Sequence, residues 1–379
     1  MVYLLLFLIL IGILLNELSK RYILDKVYFN RNFSKRVAEI AEDIYIEVVV
    51  ENRKLIPVTF LQVIQELPSV IEYKFQVNKV RTKDFLYHTM TFFLLPYQRI
   101  KRKYLATCTK RGRYVFGNVE LCGGDFLGLN LKTKSISLVQ DLVVLPKRKD
   151  LEKDLIPYGN FNGDTSVKRW IIEDPTMIIG VKDYTGREPA KTIHWPLSLK
   201  HNKILVKNFD FTYENNAMIF LNVECSKPYW IKMDEKSIEE CISVARSVGE
   251  IFHERKIPFG FTTNSLIYGF SRDENTVYPG MGDAHLQLFL EYLGRLSYNV
   301  NVPFEEVIKA FMRNNNFMIS TYVIITPYLL REYIPYISAL DTDLTKVILI
   351  TYYDDNLSFL SPKILKYSLR REKNVASIS

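Results

Sequence analysis

Two histidines, His194 and His201, stand close together, and two cysteines, Cys225 and Cys241, precede His253. These residue types can make a nucleophile and base, or bind a metal. A cysteine nucleophile needs a stabilised thiolate and a base held by a third group. A zinc site needs four nitrogen or sulfur ligands. No cysteine or carboxylate cluster completes either set around His194 and His201. Cys225 and Cys241 lie in apolar stretches, where cysteine is a small hydrophobe. The cysteines number 4, without paired spacing, which excludes a disulfide scaffold or a zinc ribbon. A basic cluster, Arg99, Lys101, Arg102, Lys103, Lys110, Arg111 and Arg113, is interleaved with Tyr97, Tyr104 and Tyr114. Such a pattern can stack single-stranded nucleic acid. The simpler reading is the solvent face of two adjoining strands with the tyrosines turned to the core, and no nucleic acid is expected. Pro279-Gly280-Met281-Gly282-Asp283 could cap an anion at the start of a helix. A plain turn explains it more simply. The chain is expected to act by binding and not by catalysis.

Something must hold these residues in place. With 379 residues the chain is too long for one ordinary domain. Its 48% hydrophobic and 24% charged residues suit a folded protein. Val2 to Leu15 is an unbroken apolar run. It lacks the basic start and small-residue cleavage site of a signal peptide. It is apolar all round, unlike a core helix at a chain end. The run therefore predicts a retained single membrane anchor, somewhat short for the task. Lys20, Arg21, Lys26, Arg31, Lys35 and Arg36 follow it, against Glu17 and Asp25. The positive-inside rule then predicts cytoplasmic main domains on a single-pass cell-membrane protein. Residues 363–379 add Lys363, Lys366, Arg370, Arg371 and Lys373 against Glu372. These two excesses equal the whole net charge of +8, so the middle of the chain is near neutral. Either segment could meet anionic headgroups or be a solvated linker or tail.

From Ile44 the chain reads as short strands: Ile44 to Asn52, then TFLQVIQELP, YKFQVN, FLYHTMTFFLLP, KYLATCT and YVFGNVELCGGD. Regular strands without a helix of ten residues predict an antiparallel sandwich over residues 40–147.

Lys110-Arg111-Gly112-Arg113-Tyr114, then Gly117, Gly124-Asp125-Phe126-Leu127-Gly128-Leu129 and Val144-Leu145-Pro146 follow in an ordered series. A second element runs from Gly180 through Tyr184, Gly186, Glu188, Lys191, Ile193, His194 and Trp195 to Ser198, Lys200 and Lys207. In both, the chain resembles the bacterial domain-of-unknown-function 58 family, whose second element reads roughly G-x-R-x-Y-x-P-G-D-x-x-R-x-I-x-W. Tyr184, Ile193, Trp195, Ser198 and Lys207 match as they stand. Glu188 holds the acidic position, Lys182, Lys191 and Lys200 replace arginines, and the Pro-Gly pair is lost. Tyr184, Ile193 and Trp195 alternate with polar residues, as on a half-buried strand. Glu188 three residues before Lys191 can fix a loop by a local ion pair. The segment reads as a packed interdomain clamp, with a partner-docking surface as the second reading. Gly112, Gly124, Gly128, Gly280 and Gly282 read as structural turns.

From Asn216 strands and helices alternate. Ala217 to Val223 is a buried strand and Ser237 to Arg255 an amphipathic helix with a 3.6-residue period. The strand FGFTTNSLIY, helices Ala284 to Leu296 and Phe304 to Arg313, the strand FMISTYVIIT, a helix from Tyr328 and the strand KVILITYY follow. This predicts a mainly parallel sheet with helices on both faces. The family resemblance implies a von Willebrand factor A-like half, whose usual metal loop is Asp-x-Ser-x-Ser. The matching residues here are Asn222-Val223-Glu224-Cys225-Ser226. No threonine stands near Gly280 to Asp283, and Pro327 replaces the third-loop aspartate. Asn222, Glu224, Ser226 and Asp283 are the oxygen donors left for Mg²⁺, the one cofactor such a degenerate site leaves open.

The expected architecture is thus an α+β multidomain chain. Residues 1–19 are a membrane anchor, 20–39 a basic linker, 40–147 the sandwich and 148–215 the family segment. Residues 216–362 form the α/β, Rossmann-like von Willebrand factor A-like domain and 363–379 a basic tail. The resemblance implies a MoxR-type AAA+ ATPase as partner in a cell-envelope process. A metal-dependent ligand-binding or adhesion module is the alternative. The oligomeric state is not indicated.

Overall fold

The computed structural model describes residues 2–157, 178–184, 193–209, 216–271, 274–314 and 317–369. The chain divides into two units, Met1–Lys147 and Arg148–Ser379.

The first unit opens with helix α1 (Val2–Arg21). The strands that follow are β1 (Val27–Phe33), β2 (Val37–Ala38), β3 (Ile44–Asn52), β4 (Val58–Pro68), β5 (Ile71–Tyr73) and β6 (Lys79–Arg81). Then come β7 (Phe85–Leu94), β8 (Arg99–Cys108), β9 (Gly112–Phe116), β10 (Val119–Gly124), β11 (Leu131–Ile136) and β12 (Gln140–Val144). Sheets ordered β1-β3-β8-β5 and β11-β10-β4-β7-β6 are antiparallel, and a smaller sheet runs β2-β12-β9. Strict alternation builds them: in β7 every second residue from Leu86 to Leu94 is buried. β8 reaches back through the basic cluster, because Lys101 and Lys103 point outward beside Glu47 on β3.

The inward faces make two apolar clusters, one around Phe29, Val63 and Met90 and one around Ile46, Leu67 and Leu86. Between them each contributing strand carries a polar residue: Arg31 on β1, Gln65 on β4 and His88 on β7, all at most 1% exposed. Gln65 and His88 are register partners. The Tyr73 hydroxyl lies 2.9 Å from His88 Nδ1, and Tyr104 packs edge-on to the imidazole. Burial, with a smaller push from Lys79, lowers the His88 pKa from 6.5 to about 4. The native histidine thus stays neutral while the unfolded chain takes up a proton near pH 6.5. Stability from this site is whole above pH 6.5 and is lost as the pH falls towards 4, about 3 kcal/mol in all. Urea midpoints read by circular dichroism should fall over that window, and His88→Gln should flatten the fall.

The expected membrane helix is corrected. Among the described residues no helix is long and apolar enough to cross a membrane. The helix forms, but its last turns belong to the sandwich. Asn16 and Ser19 are buried, and Asn16 bonds to Asp125 and to the Leu127 amide. Only Val2 to Leu15 is left as an apolar run. At 1.5 Å per residue it reaches about 21 Å, against a hydrocarbon core of about 30 Å. The single-pass cell-membrane placement with cytoplasmic domains falls with it. The expected α+β class is corrected too. Strand (41%) outweighs helix (25%) among the described residues, and the chain is β-rich with several sheets.

The second unit holds α2 (Leu151–Asp154), β13 (Leu155–Pro157), β14 (Ile178–Asp183), α3 (Trp195–His201), β15 (Leu205–Phe209), β16 (Asn216–Leu221) and α4 (Glu235–Glu254). After these come β17 (Phe259–Thr263), β18 (Ser265–Ile267), β19 (Thr276–Gly280), α5 (Asp283–Arg295), β20 (Leu296–Val300) and α6 (Phe304–Asn314). The last elements are β21 (Ile319–Thr326), α7 (Ile334–Leu340), β22 (Lys346–Thr351) and β23 (Leu365–Leu369). The main sheet is ordered β13-β23-β22-β21-β16-β17-β19, parallel from β23 to β17 with antiparallel strands at both edges. β16 is buried along its whole length, as a central parallel strand must be. α4 and α5 cover one face and α6 and α7 the other. At Gly249 the ring of Phe289 takes the space a side chain would need, which lets α4 and α5 approach closely. β23 lies within the stretch read as a basic tail, where Lys366 donates to the Leu360 carbonyl.

Candidate functional site

In an open parallel sheet, ligands gather beyond the carboxyl ends of the strands where the strand order reverses. Here that point is between β16 and β21, and it is filled by side chains. Asn222 is fully buried. Its amide donates to Thr326 Oγ1 at 2.9 Å, and its Oδ1 accepts from the Glu224 amide and from Asn264, both at 2.8 Å. Asn264 Oδ1 in turn accepts from the Val223 amide at 2.9 Å. Asn264 also explains why FGFTTNSLIY is not one strand: it leaves the ladder and splits β17 from β18.

Glu224 is also 0% exposed. One carboxylate oxygen accepts from the Phe304 amide at the start of α6, 3.1 Å away. The other lies 2.7 Å from Lys227 Nζ. That ammonium also donates to both oxygens of Glu305 at 2.8 and 2.9 Å, and it stands 5.6 Å from the Tyr333 ring. Burial works against the Lys227 charge, but the bonds to Glu224 and Glu305 outweigh it and raise its pKa. Burial pushes the Tyr333 hydroxyl up, and the Glu224 charge adds to this.

Lys227 thus sits where the degenerate metal loop was expected to hold a cation. The four oxygen donors do not converge. Ser226 Oγ turns to the Pro228 carbonyl. Asp283 is exposed at the start of α5 and pairs with His253 at 3.1 Å. Among the described residues no group of three or more His, Cys, Asp and Glu could hold a metal ion. The cysteines do no better as nucleophiles, since burial pushes both the Cys225 and Cys241 thiols up.

The loop above the crevice is the part sequence reasoning missed. Ser226 Oγ ties both ends of Pro228 to Lys232, accepting from the Lys232 amide at 3.1 Å. Lys232 Nζ donates to Tyr328 at 2.7 Å and lies over its ring. Tyr328 stacks on Tyr353, and both hydroxyls donate to Asp234, which also caps α4 through the Ser237 amide. On this braced base Trp230, Ile231 and Met233 are exposed at 73%, 69% and 54%. Tyr229 packs edge-on against Trp230. A sequence signal existed in Tyr229-Trp230-Ile231 and Met233, large apolar residues in the loop between a buried strand and the next helix.

Of the family segment, Glu188 and Lys191 lie outside the described residues. Tyr184 is half-buried, and Ile193 is buried and bridges to Val206. His194 caps α3, accepting from the Leu197 amide at 3.3 Å. Ser198 is buried and joins α3 to β15 through the Leu205 amide and carbonyl. Trp195 and Lys200 are exposed. Gly128 and Gly282 have φ of +74° and +94°, which favours glycine at these turns. Gly112, Gly124 and Gly280 stand at strand ends.

No family model and no curated protein matches the chain. Among solved structures it is similar to the cohesin module of a Clostridium perfringens family 33 glycoside hydrolase. That likeness has 11% identity and a TM-score of 0.21, over 29% of this chain and 95% of that one. A non-cellulosomal cohesin from Archaeoglobus fulgidus gives 12% identity and 0.22, over 31% and 91%. A CARDB domain of Pyrococcus furiosus gives 20% identity and 0.18, over 30% and 89%. At these TM-scores the likeness carries no argument about function. The expected von Willebrand factor A-like half is corrected to a mixed seven-stranded sheet with a lysine in its crevice.

Proposed function

We propose that the protein is a non-enzymatic interaction module that docks a protein partner through the Tyr229–Met233 loop. The carrying observation is the exposure of Trp230, Ile231 and Met233 on a loop whose base is fixed by Ser226, Lys232 and Asp234. Rigid, exposed aromatic and aliphatic side chains make interface hot spots, because little freedom is lost when a partner covers them. The crevice beneath is occupied by its own side chains: Asn222 is joined to Thr326 and Asn264, and Glu224 to Lys227 and the Phe304 amide. A MoxR-type AAA+ ATPase is the first partner to test, on the family resemblance alone.

The test uses the full chain and a purified MoxR-type ATPase of the same organism, with binding measured by interferometry in ATP and in ADP. Trp230→Asp with Ile231→Asp should weaken binding at least about tenfold, the scale of one hot spot. Both positions are exposed, so folding should be kept. Absence of binding in either nucleotide would remove the ATPase from the proposal. Binding that ignores the loop variant would remove the loop.

A further inference from the structure

We infer that the end of the sandwich where α1 enters is a docking surface for an anionic lipid surface, reached by loop tips without any segment crossing it. Strand register places three loops at this one end. β3 and β4 turn there, Val58 pairs with Leu94 where β7 turns into β8, and Phe60 pairs with Gly124 where β10 turns into β11. β1 starts there too, since Val27 pairs with Asn52. Each loop carries large apolar residues out to solvent: Leu55 on the first, Leu95 and Tyr97 on the second, and Phe126, Leu127 and Leu129 on the third.

These tips are held rigidly. Asn52 donates to the Ile56 and Leu95 carbonyls, and the Tyr97 amide donates to the Lys54 carbonyl. Asp125 is buried and accepts from the Leu129 and Asn130 amides, from the Asn130 side chain and from Asn16 of α1. Burial opposes its charge, but these bonds hold its pKa below the usual carboxylate value. Thr59 Oγ1 donates to the Asp125 carbonyl and joins this loop to β4. Asn52, Lys54 and Asp125 are thus turned inward, and the outer side is left to Leu, Phe and Tyr together with the exposed Arg53, which pairs with Glu51.

The charge around this end fits lipid headgroups. Arg21, Lys26, Arg99 and Lys132 are exposed beside it, against Glu17 and Asp25. On α1, Tyr3, Phe7, Leu10 and Ile13 are exposed at helical spacing and add an apolar stripe to the same unit. The surface therefore consists of several separate apolar tips with basic flanks. Such a surface fits the boundary between headgroups and acyl chains, where apolar side chains enter by about 5–10 Å and lysine and arginine meet anionic lipid.

Co-sedimentation of the full chain with phosphatidylcholine vesicles, with and without about 30% phosphatidylserine, tests this. The expected result is binding to the serine-containing vesicles that weakens as salt screens the headgroup charge. Leu55→Asp with Leu129→Asp should reduce it at least tenfold while the urea midpoint stays in place. Tyr97→Trp adds a probe at the tip, and brominated acyl chains should quench the emission of this variant more than that of the parent, whose tryptophans are Trp170, Trp195 and Trp230. Three results would overturn the inference: a parent chain that does not bind; a loop variant that binds as well as the parent, which would leave α1 alone responsible; and a self-associated parent that the loop variant separates in sedimentation velocity, which would make the face a contact between copies.

Discussion

Lys227→Met is expected to lower the unfolding free energy of the second unit by about 3–5 kcal/mol, the usual effect of removing one partner from a buried ion pair. The reason lies with Glu224 more than with the lysine. Glu224 is 0% exposed, and Lys227 is the cation that compensates it, at 2.7 Å. Methionine fills the stem of the side chain but leaves a carboxylate in the interior with only the Phe304 amide to bond. All three tryptophans, Trp170, Trp195 and Trp230, fall in residues 148–379, so the urea midpoint by tryptophan fluorescence reads this unit alone. Glu224→Leu combined with Lys227→Met should recover most of the loss, since a buried pair replaced whole by apolar groups is often near neutral. A double variant as unstable as the single one would mean that the loss arises elsewhere, for example from Glu305.

The same pair shows what sequence could and could not reveal. Ile238, Cys241, Ile242, Ala245, Val248, Ile251 and Phe252 keep a helical period, and the helix found, Glu235–Glu254, differs from the expected one only at its ends. Local periodicity is legible because each residue answers to its own neighbours. That Asn222 stands where the resemblance expects an aspartate was equally legible. The ion pair of Glu224 with Lys227, three residues on, was within reach of spacing, but its second carboxylate was not, because Glu305 lies 78 residues beyond Lys227 and no spacing rule joins them. The apolar run at the N-terminus failed for a related reason. Val2 to Leu15 was weighed by itself, whereas Asn16 answers to Asp125, 109 residues away. The end of the sandwich was invisible for the same cause: Leu55, Tyr97 and Leu129 look like scattered surface apolars until strand register brings their loops together.

The second large effect is expected at Arg31, whose side chain is 0% exposed in the sandwich core. Burial lowers its pKa to about 10, so at neutral pH the charge persists inside the protein. The groups it bonds are neutral: Gln140 Oε1 at 3.2 Å, Gln65 Oε1 at 3.4 Å and the Leu138 carbonyl at 3.1 Å. Phe33 and Phe116 face the guanidinium at 5.5 and 5.2 Å and supply cation–π attraction. Arg31→Ala removes both the volume and the only group that reaches all three acceptors. It should cost about 3–5 kcal/mol, as a core cavity and stranded buried acceptors each do in the range of 1–5 kcal/mol. Arg31→Met keeps most of the volume and spares the burial of a charge, so it should cost clearly less. Arg31→Lys keeps the charge but has no planar fork to span Gln65, Gln140 and Leu138, and should rank nearer to alanine than to methionine. Far-UV circular dichroism must read this transition, because the first unit contains no tryptophan. An order with methionine worst would show that the charge stabilises the sandwich by itself. The order proposed here instead makes Arg31 a bridge: it joins β1 to β4 and β12 across a polar layer that two apolar clusters enclose but do not fill.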